Sequence, residues 1–389
     1  MTAQPLPDLR RLLLSLVGAR PDLAALARAN EADWQAMGRM IAQHRLAPLL
    51  HAQLRAGILG DRLVPPAVAH DWAHLHRHAA FEALAWRAQL RGLVALLARR
   101  DIACVALKGA FLAPHAAPDA AQRPLRDLDL LLSPDRILEA RDLLLAEGYR
   151  ERIDAQTVTR EMVDRAKHLP GLLPPEGLEV ELHMRAWDNA EATARAMPPP
   201  RDARILARAR RVDGDPVAYP SPLDMLMHVT VHATYGGRLN PGPLALADCD
   251  WLLAREAYDW PAVWKQAGEE GWDRGLALLL TLTDRWRRPG VLAESGCPPD
   301  VPADLLDSAP DLLLQDPDRR APTMLLAVSL EQRGVGGKLS HFARRIARLA
   351  TRPSRLAERL AGSRTLREAG AIRETARDIA RMGTWMAGD

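Results

Sequence analysis

Residues 107–132 read LKGAFLAPHAAPDAAQRPLRDLDLLL, and the last eight of them decide the fold. In a β-strand, successive side chains point to opposite faces of the sheet. Over residues 125–132 this alternation places Asp127, Asp129 and Leu131 on one face and three leucines on the other. We therefore predict a strand with a buried leucine face and an outward carboxylate face.

A second strand is predicted just upstream. The run IACVAL at residues 102–107 is rich in strand-forming residues and ends at Lys108 and Gly109, which indicates a strand followed by a tight turn. Gly109 then starts a helix that Pro114 cuts short, because proline lacks the N–H that continues a helix. The order strand, glycine turn, helix, strand precedes the two aspartates.

A third strand is predicted at residues 178–184, where LEVELHM alternates between polar and apolar side chains. Glu179, Glu181 and His183 share one face of this strand. The sequence therefore supplies carboxylates from two separate strands, and Glu181 is the candidate third acid beside Asp127 and Asp129.

The rest of the chain has the three-and-four spacing of apolar residues that predicts amphipathic helices. The predicted fold class is α+β, mostly helical, with a small mixed β-sheet core flanked by N- and C-terminal helical regions. The expected regions are an N-terminal helical region at 1–100, a sheet-bearing core at 101–200, a helical domain at 201–300 that closes the cleft, and an Arg-rich C-terminal helical region at 301–389.

Composition excludes several classes of protein. Hydrophobic residues make up 48% of the 389 residues and charged residues 26%, which is ordinary for a globular protein. The formal net charge of +3 does not point to nucleic acid or to a membrane surface. No run approaches the roughly 20 apolar residues that span a bilayer. The three scattered cysteines fit a reducing cytosol, so we expect a cytoplasmic protein, and the Arg and Ala bias suggests a bacterial source.

The carboxylates indicate a metal site. Asp127 and Asp129 would repel each other if they were left without a cation. With Glu181 they could bind two Mg²⁺ ions about 3.5 to 4 Å apart, one at an acceptor oxygen and one at nucleotide phosphates. Lys108 and the backbone N–H groups of the Lys-Gly turn would then contact those phosphates.

This order of motifs resembles the polymerase-β-like nucleotidyltransferases, and more closely a bacterial group of uncharacterised nucleotidyltransferases. The shared motifs are LKG at 107–109, RPLRDLDLLL at 123–132 and VELHMR at 180–185. Three further stretches resemble the group, namely DWQAMGRMIAQHRLAPLL at 33–50, DMLMHVTVH at 224–232 and LADCDWLL at 246–253, so that the resemblance covers roughly residues 30–285.

The resemblance implies transfer of a nucleoside monophosphate from an NTP, ATP by default, to an acceptor, with release of pyrophosphate. Asp127, Asp129 and Glu181 would be the catalytic and metal-binding residues, with Mg²⁺ or Mn²⁺ as the ion. The nucleotide would be bound by Lys108, Gly109, Ala110, Arg123, Arg126 and His183. By the same resemblance, His168 is expected near the pocket. The acceptor would be a small molecule, a peptide or a protein.

One residue departs from the superfamily pattern. Ala110 stands where a serine hydroxyl usually helps to hold a phosphate, so either Lys108 replaces that contact or triphosphate binding is weaker. A catalytically degenerate module that binds nucleotide or peptide is therefore the alternative function. Arg123 and Arg126 could equally serve to balance the acids, and His183 could be a structural residue.

Other readings of the sequence have less support. His228 and His232 are spaced four apart, as in helical zinc motifs, but no general-base glutamate lies between them, so core or cleft histidines are favoured. Asp248 and Asp250 are predicted to serve helix packing or capping. The stretch 338–382, with eleven arginines, could contact a partner or nucleic acid, although nucleic acid is not the favoured partner.

Overall fold

The computed structural model describes residues 8–60, 62–152, 158, 163–164, 166–188, 198–298, 301–331 and 366–388. Helices make up most of these residues, and a small mixed sheet lies among them, so the fold is α+β and mostly helical, as predicted. Buried side chains from the N-terminal helices, the sheet and the C-terminal helices form one continuous hydrophobic core.

The N-terminal part is helical, as its apolar period predicts. Its helices are α1 (Leu9–Leu16), α2 (Leu23–Leu26), α3 (Glu31–Gln43), α4 (Ala47–Arg55) and α5 (Pro66–Ala98). Helix α3 begins with a capping box, in which the Asn30 side chain accepts from the Asp33 N–H and the Asp33 side chain accepts from the Asn30 N–H. Between α3 and α4 the chain turns through Arg45, which has a positive φ of 55°.

The sheet contains the three strands predicted from the sequence and two short ones. Its strands are β1 (Cys104–Ala106), β2 (Asp127–Leu132), β3 (Arg150–Glu151), β4 (Leu172–Leu173) and β5 (Glu179–His183). They lie in the order β1-β2-β5-β4-β3, with β2 parallel to β5 and antiparallel to β1. Strand β2 is therefore an interior strand, paired with a neighbour along both of its edges.

The prediction of an outward carboxylate face on β2 was wrong. Asp129 is only 4% exposed and Leu131 on the same face is fully buried. The helix Pro222–Val231 and the turn after it bring Val229 and His232 to the cavity that Asp127 and Asp129 line. The carboxylates thus lie at the bottom of a covered cleft.

The helix after the Lys-Gly turn does not stop at Pro114. Helix α6 (Gly109–Phe111) continues as a π-helical turn over Leu112–Ala116, which contains Pro114. The turn closes with a bond from the Ala117 N–H to the Leu112 carbonyl, at 2.7 Å. A wide π turn tolerates an interior proline because it is not held by the regular i to i−4 ladder.

Further helices pack around the sheet. The first, α7, spans Ile137–Ala146, and the others are Asp202–Ala207, Pro222–Val231, Leu244–Arg255, Trp260–Glu270, Asp273–Trp286, Val291–Ser295, Ala303–Leu313, Arg320–Glu331 and Leu366–Met386. A two-stranded sheet of β6 (Arg210–Arg211) and β7 (Ala218–Tyr219) lies between them. Of the Arg-rich stretch 338–382, residues 338–365 lie outside the described part of the chain.

Candidate active site

Strand register brings the predicted acids together. In the parallel pair of β2 and β5, Asp129 is the partner of Glu181, and Leu131 is the partner of His183. Because side chains alternate along each strand, Asp129, Glu181 and His183 project from the same face of the sheet. Asp129 and Glu181, which are 52 positions apart in the sequence, thus lie in one cluster with His183. They meet because β2 and β5 pair in this register.

The ligand atoms of Asp129, Glu181 and His183 all lie within 4.8 Å of one another. His183 Nε2 is 2.8 Å from Asp129 Oδ1 and 3.2 Å from Glu181 Oε2. Its Nδ1 is 3.2 Å from the Arg185 carbonyl oxygen, a contact that favours a hydrogen on Nδ1 and leaves Nε2 available as a ligand. Two carboxylates and an imidazole fit a divalent cation.

Asp127 lies beside this cluster without joining it. Its strand partner is Glu179, and its side chain lines the cavity. Burial raises the pKa of Asp127, and the nearby Asp129 charge adds to the effect. Of the three predicted metal ligands, the structure therefore brings together Asp129 and Glu181, with His183 as the third donor.

Lys108 neutralises Asp129. Its Nζ donates to both carboxylate oxygens of Asp129, at 3.0 and 2.9 Å. Burial alone would lower the pKa of Lys108, but the Asp129 and Asp127 carboxylates reverse the effect and raise it. The pKa of Asp129 is in turn held well below its usual range by Lys108 and His183, against the opposing effect of burial. We call Lys108, Asp129, Glu181 and His183 the carboxylate end, of which Lys108 and Asp129 line the cavity.

The backbone at Lys108 is strained. Its φ is 46°, in a region that costs a non-glycine residue about 1–3 kcal/mol. The sequence predicted a tight turn at Lys108 and Gly109, and the positive φ falls on Lys108. A Cβ at Gly109 would lie 3.1 Å from Leu125 Cγ and 3.3 Å from Arg123 Nη1. Gly109 therefore permits close approach of the loop before β2, while the strained lysine points its ammonium at Asp129.

The N–H groups after the turn are already bonded. The Ala110 N–H donates to the Leu107 carbonyl at 3.2 Å, and the Phe111 N–H to the Lys108 carbonyl at 3.1 Å. Ala110 is buried and is not among the residues that line the cavity. Of the predicted nucleotide-binding residues, Ala110 is thus placed behind the cavity wall.

Arg123 forms a bidentate ion pair with Asp248. Its Nε is 2.8 Å from Asp248 Oδ1 and its Nη2 is 2.9 Å from Oδ2. Burial would lower the pKa of Arg123, and Asp248 raises it instead. The prediction that Asp248 serves helix packing or capping missed this role, because the two residues are separated by 125 positions.

The cavity beside the carboxylate end has a volume of about 240 Å³. Its lining includes five cationic and three carboxylate side chains, which leaves an excess of two positive charges. These residues are Arg45, Lys108, Arg123, Arg126, Asp127, Asp129, Asp248 and Arg320. An excess of positive charge in a cleft favours an anionic ligand.

The sequence did not single out Arg45, Asn240 or Arg320 as lining residues. Arg45 and Asp248 lie in the stretches 33–50 and 246–253, whose resemblance to nucleotidyltransferases was the one signal available for them. No feature of the sequence pointed to Arg320.

The positions of His228 and His232 agree with the prediction that they are core or cleft histidines. The rings of His228 and His232 are stacked, with centroids 6.3 Å apart, and burial lowers both pKa values well below the usual range. Within the described ranges, the only group of side chains that could hold a metal is Asp129, Glu181 and His183. His168 lies next to this group, with its Nε2 3.8 Å from Glu181 Oε2.

Comparison with known proteins agrees with this geometry. The profile of a family described as uncharacterised nucleotidyltransferases matches residues 30–288, about two thirds of the chain. The chain belongs to this family. The matched segment contains the sheet, the carboxylate end and most of the cavity. No curated protein matches the sequence. No described helix has the length and hydrophobicity needed to cross a membrane.

Proposed function

We propose that the protein transfers a nucleoside monophosphate from an NTP to an acceptor and releases pyrophosphate. The observation that carries this proposal is the cluster of Asp129, Glu181 and His183, whose Asp129 lines a positively charged cavity, inside the segment that matches the nucleotidyltransferase family. ATP is the default donor, and Mg²⁺ or Mn²⁺ is the proposed ion.

The residues of the carboxylate end have separate tasks in this proposal. Asp129, Glu181 and His183 would hold a divalent cation, and Asp127 would contact a second one from the neighbouring position on β2. A bound divalent cation supplies positive charge to phosphate oxygens and to the acceptor oxygen. Lys108 keeps Asp129 ionised, because its ammonium contacts both carboxylate oxygens.

The acceptor must lose a proton when its oxygen attacks the α-phosphorus. Glu181 is the proposed proton acceptor among the clustered carboxylates. Burial would raise the pKa of Glu181, but its contacts with His183 and His168 lower it. Glu181 is therefore ionised at neutral pH, as a general base must be.

The cationic side chains of the cavity would bind the phosphates. Arg126 is exposed at the rim and Arg123 is fixed in the wall by Asp248. Arg123 therefore orients the loop before β2, and Arg126 is the more accessible phosphate ligand of the two. The proposed acceptor is a small molecule, a peptide or a protein.

The test uses each of the four NTPs, labelled at the α-phosphorus, with Mg²⁺ or Mn²⁺ and a cleared cell extract as the source of acceptors. We expect label in a new product and stoichiometric pyrophosphate. A release of inorganic phosphate without pyrophosphate would contradict the proposed reaction.

A degenerate nucleotide-binding module is the second candidate. It is favoured by the Lys108 ammonium, which occupies both oxygens of Asp129, and by Ala110, which has no hydroxyl. Calorimetry separates the two candidates. NTP binding with no pyrophosphate release under any metal or acceptor condition would select the binding module.

A further inference from the structure

Three arginines from distant parts of the chain meet at the cavity. Arg45 lies in the turn between α3 and α4, Arg126 precedes β2, and Arg320 begins the helix Arg320–Glu331. All three line the cavity. We call Arg45, Arg126 and Arg320 the arginine end.

These guanidinium groups form no direct ion pair in the described part of the chain, although the Asp127 and Asp248 carboxylates act on Arg45 from a longer distance and partly offset the lowering of its pKa by burial. Among the described residues, no carboxylate forms an ion pair with Arg45, Arg126 or Arg320. Burial lowers the pKa of Arg45 to about 10, and the charges of Arg126 and Arg123 add to the effect. Mutual repulsion of cations in a partly buried cleft is unfavourable unless an anion binds there.

Arg45 is held in a conformation that glycine usually adopts. Its φ is 55°, at the position where helix α3 ends and the Leu46 N–H bonds back to the Ile41 carbonyl. An arginine at this position costs about 1 kcal/mol relative to glycine. The buried Nε of Arg45 donates to no described acceptor. The strain and the free donor together point to a ligand.

A neutral side chain in the same cavity also has an unused donor. Asn240 is 8% exposed and lines the cavity, and its Nδ2 has no hydrogen-bond partner in the described part of the chain. Buried amide groups are rarely left without a partner. Two residues of the cavity lining, Arg45 and Asn240, thus each have a buried donor without an acceptor in the described part of the protein.

The turn that carries Arg45 is fixed from two sides. The Arg45 side chain donates to the Pro124 carbonyl at 2.9 Å, which attaches the turn to the loop before β2. His44 Nε2 is 3.1 Å from the Gln315 carbonyl oxygen, and this contact attaches the turn to the segment that leads to Arg320. The arginine end is therefore preorganised by contacts between three regions of the fold.

We propose that Arg45, Arg126 and Arg320 form a polyphosphate-binding site, assembled from the N-terminal helices, the sheet core and a C-terminal helix. Assigning the polyphosphate to the tail of the NTP rests on the proposed function. Arg320 lies outside residues 30–288, so this site extends beyond the segment that matches the family. Guanidinium groups bind phosphate oxygens through paired charge-assisted hydrogen bonds.

The probe for the site is inorganic tripolyphosphate, titrated into the full-length protein in EDTA and followed by calorimetry. We expect wild-type protein to bind it, and Arg45→Gln, Arg126→Gln and Arg320→Gln each to weaken binding about tenfold. The matched control is Arg319→Gln, which removes the same charge from the neighbouring residue, outside the cavity lining; its dissociation constant should stay within about twofold.

Equal affinity in Arg320→Gln and Arg319→Gln would overturn the proposal, as would absence of tripolyphosphate binding to wild-type protein. Circular dichroism of each variant checks the fold. If Arg45→Gln fails to fold, the exposed Arg126 and Arg320 variants still decide the outcome.

Competition identifies the source of the phosphates. If ATP displaces tripolyphosphate and Arg320→Gln weakens both ligands, the site binds the NTP tail. If ATP affinity is unchanged in Arg320→Gln while tripolyphosphate binding is lost, the site binds an anionic acceptor. Tripolyphosphate binding does not require the proposed metal ligand, so the Asp129→Asn variant should keep it. The binding test can therefore succeed even if the proposed transfer reaction fails.

Discussion

The two ends of the cavity differ in whether their charged side chains are paired with each other. At the carboxylate end, each charge already has a partner, since Lys108 and His183 both contact Asp129. At the arginine end, three guanidinium groups share a cleft with no carboxylate partner among the described residues. The difference teaches that the protein itself compensates the charges of one end, whereas the proposed phosphate ligand would compensate those of the other.

This contrast has consequences for stability as well as for activity. Removing a member of a paired, buried network leaves an uncompensated charge and destabilises the fold. Removing a member of an unpaired group relieves repulsion. Substitutions at the two ends should therefore change the free energy of unfolding in opposite directions, even where both impair function.

The largest effect is expected for Asp129→Asn. This change removes a proposed metal ligand and the carboxylate that contacts both Lys108 and His183, so pyrophosphate release should fall by at least about 10³-fold. The melting temperature should also fall, because Lys108 loses its counter-charge. The assay is pyrophosphate release under the conditions that support wild-type turnover. Asp142→Asn, on an exposed aspartate of α7, is the control and should retain both activity and stability.

The second prediction concerns Lys108→Met. In EDTA the variant should lose about 2–4 kcal/mol of unfolding free energy, because the buried Asp129 is left without its ammonium partner. Mn²⁺ should restore much of this loss, since a bound cation replaces the missing charge. Thermal melts of the variant with and without Mn²⁺ measure the effect, and Lys265→Met, at an exposed lysine, is the control. An identical response to Mn²⁺ in wild type and variant would be inconsistent with metal binding at Asp129.

The third prediction introduces a carboxylate into the arginine end. Arg126→Glu should raise stability by about 0.3–1 kcal/mol, because it gives Arg45 and Arg320 a partner. The same change should weaken tripolyphosphate binding by more than about tenfold. Melting curves measure the change in stability, and calorimetry on the same preparation measures the change in tripolyphosphate affinity. Arg39→Glu, an exposed substitution on α3, changes the net charge equally and should affect neither quantity. A loss of stability in Arg126→Glu would break the comparison.

The last prediction concerns a half-buried carboxylate outside the cavity. Asp202 accepts the Ala186 N–H at 2.7 Å, and burial raises the pKa of Asp202 to about 6. Its usual pKa is 3.8, so between these two values the folded state binds more protons than the unfolded state. Stability contributed by this group is therefore present at low pH and is lost as the pH rises towards 6.

Asp202→Asn keeps an oxygen that accepts the Ala186 N–H but removes the titration. The variant should be more stable than wild type at pH 7 by about 1–2 kcal/mol, with no difference near pH 4. Urea unfolding at both pH values measures it. A stability difference that is independent of pH would show that the Asp202 carboxylate is not the cause.

The carboxylate end could be predicted from the sequence to a large extent. Alternation along 125–132 and 178–184 determines which side chains share a face, so it placed Asp127 with Asp129 and Glu181 with His183. The prediction of Asp127 as the third metal ligand instead of His183 reflects the register between β2 and β5, which alternation does not give. What the sequence could not show is that Lys108 contacts Asp129, because that contact depends on a strained backbone angle at Lys108 rather than on any residue spacing.

The arginine end could not be predicted in the same way. Its residues come from segments that have no shared period, and their meeting depends on how helices pack over the sheet. Arg45 reaches Pro124 across 79 positions of sequence, and Arg123 reaches Asp248 across 125. Secondary-structure patterns carry no information about such contacts, which arise from tertiary packing. The helix that covers the carboxylate face of β2 is also placed by tertiary packing. For this reason the sequence predicted that face to point outward.

The most direct test of the two-ended cavity is steady-state pyrophosphate release with ATP varied, on Asp129→Asn and Arg320→Gln in parallel. The carboxylate end should set the rate, so Asp129→Asn should lose kcat with little change in KM. The arginine end should set affinity, so Arg320→Gln should raise KM about tenfold while retaining most of kcat. If both variants change the same parameter, or if Asp129→Asn releases pyrophosphate at the wild-type rate, the division of the cavity into a reacting end and a phosphate-binding end is wrong.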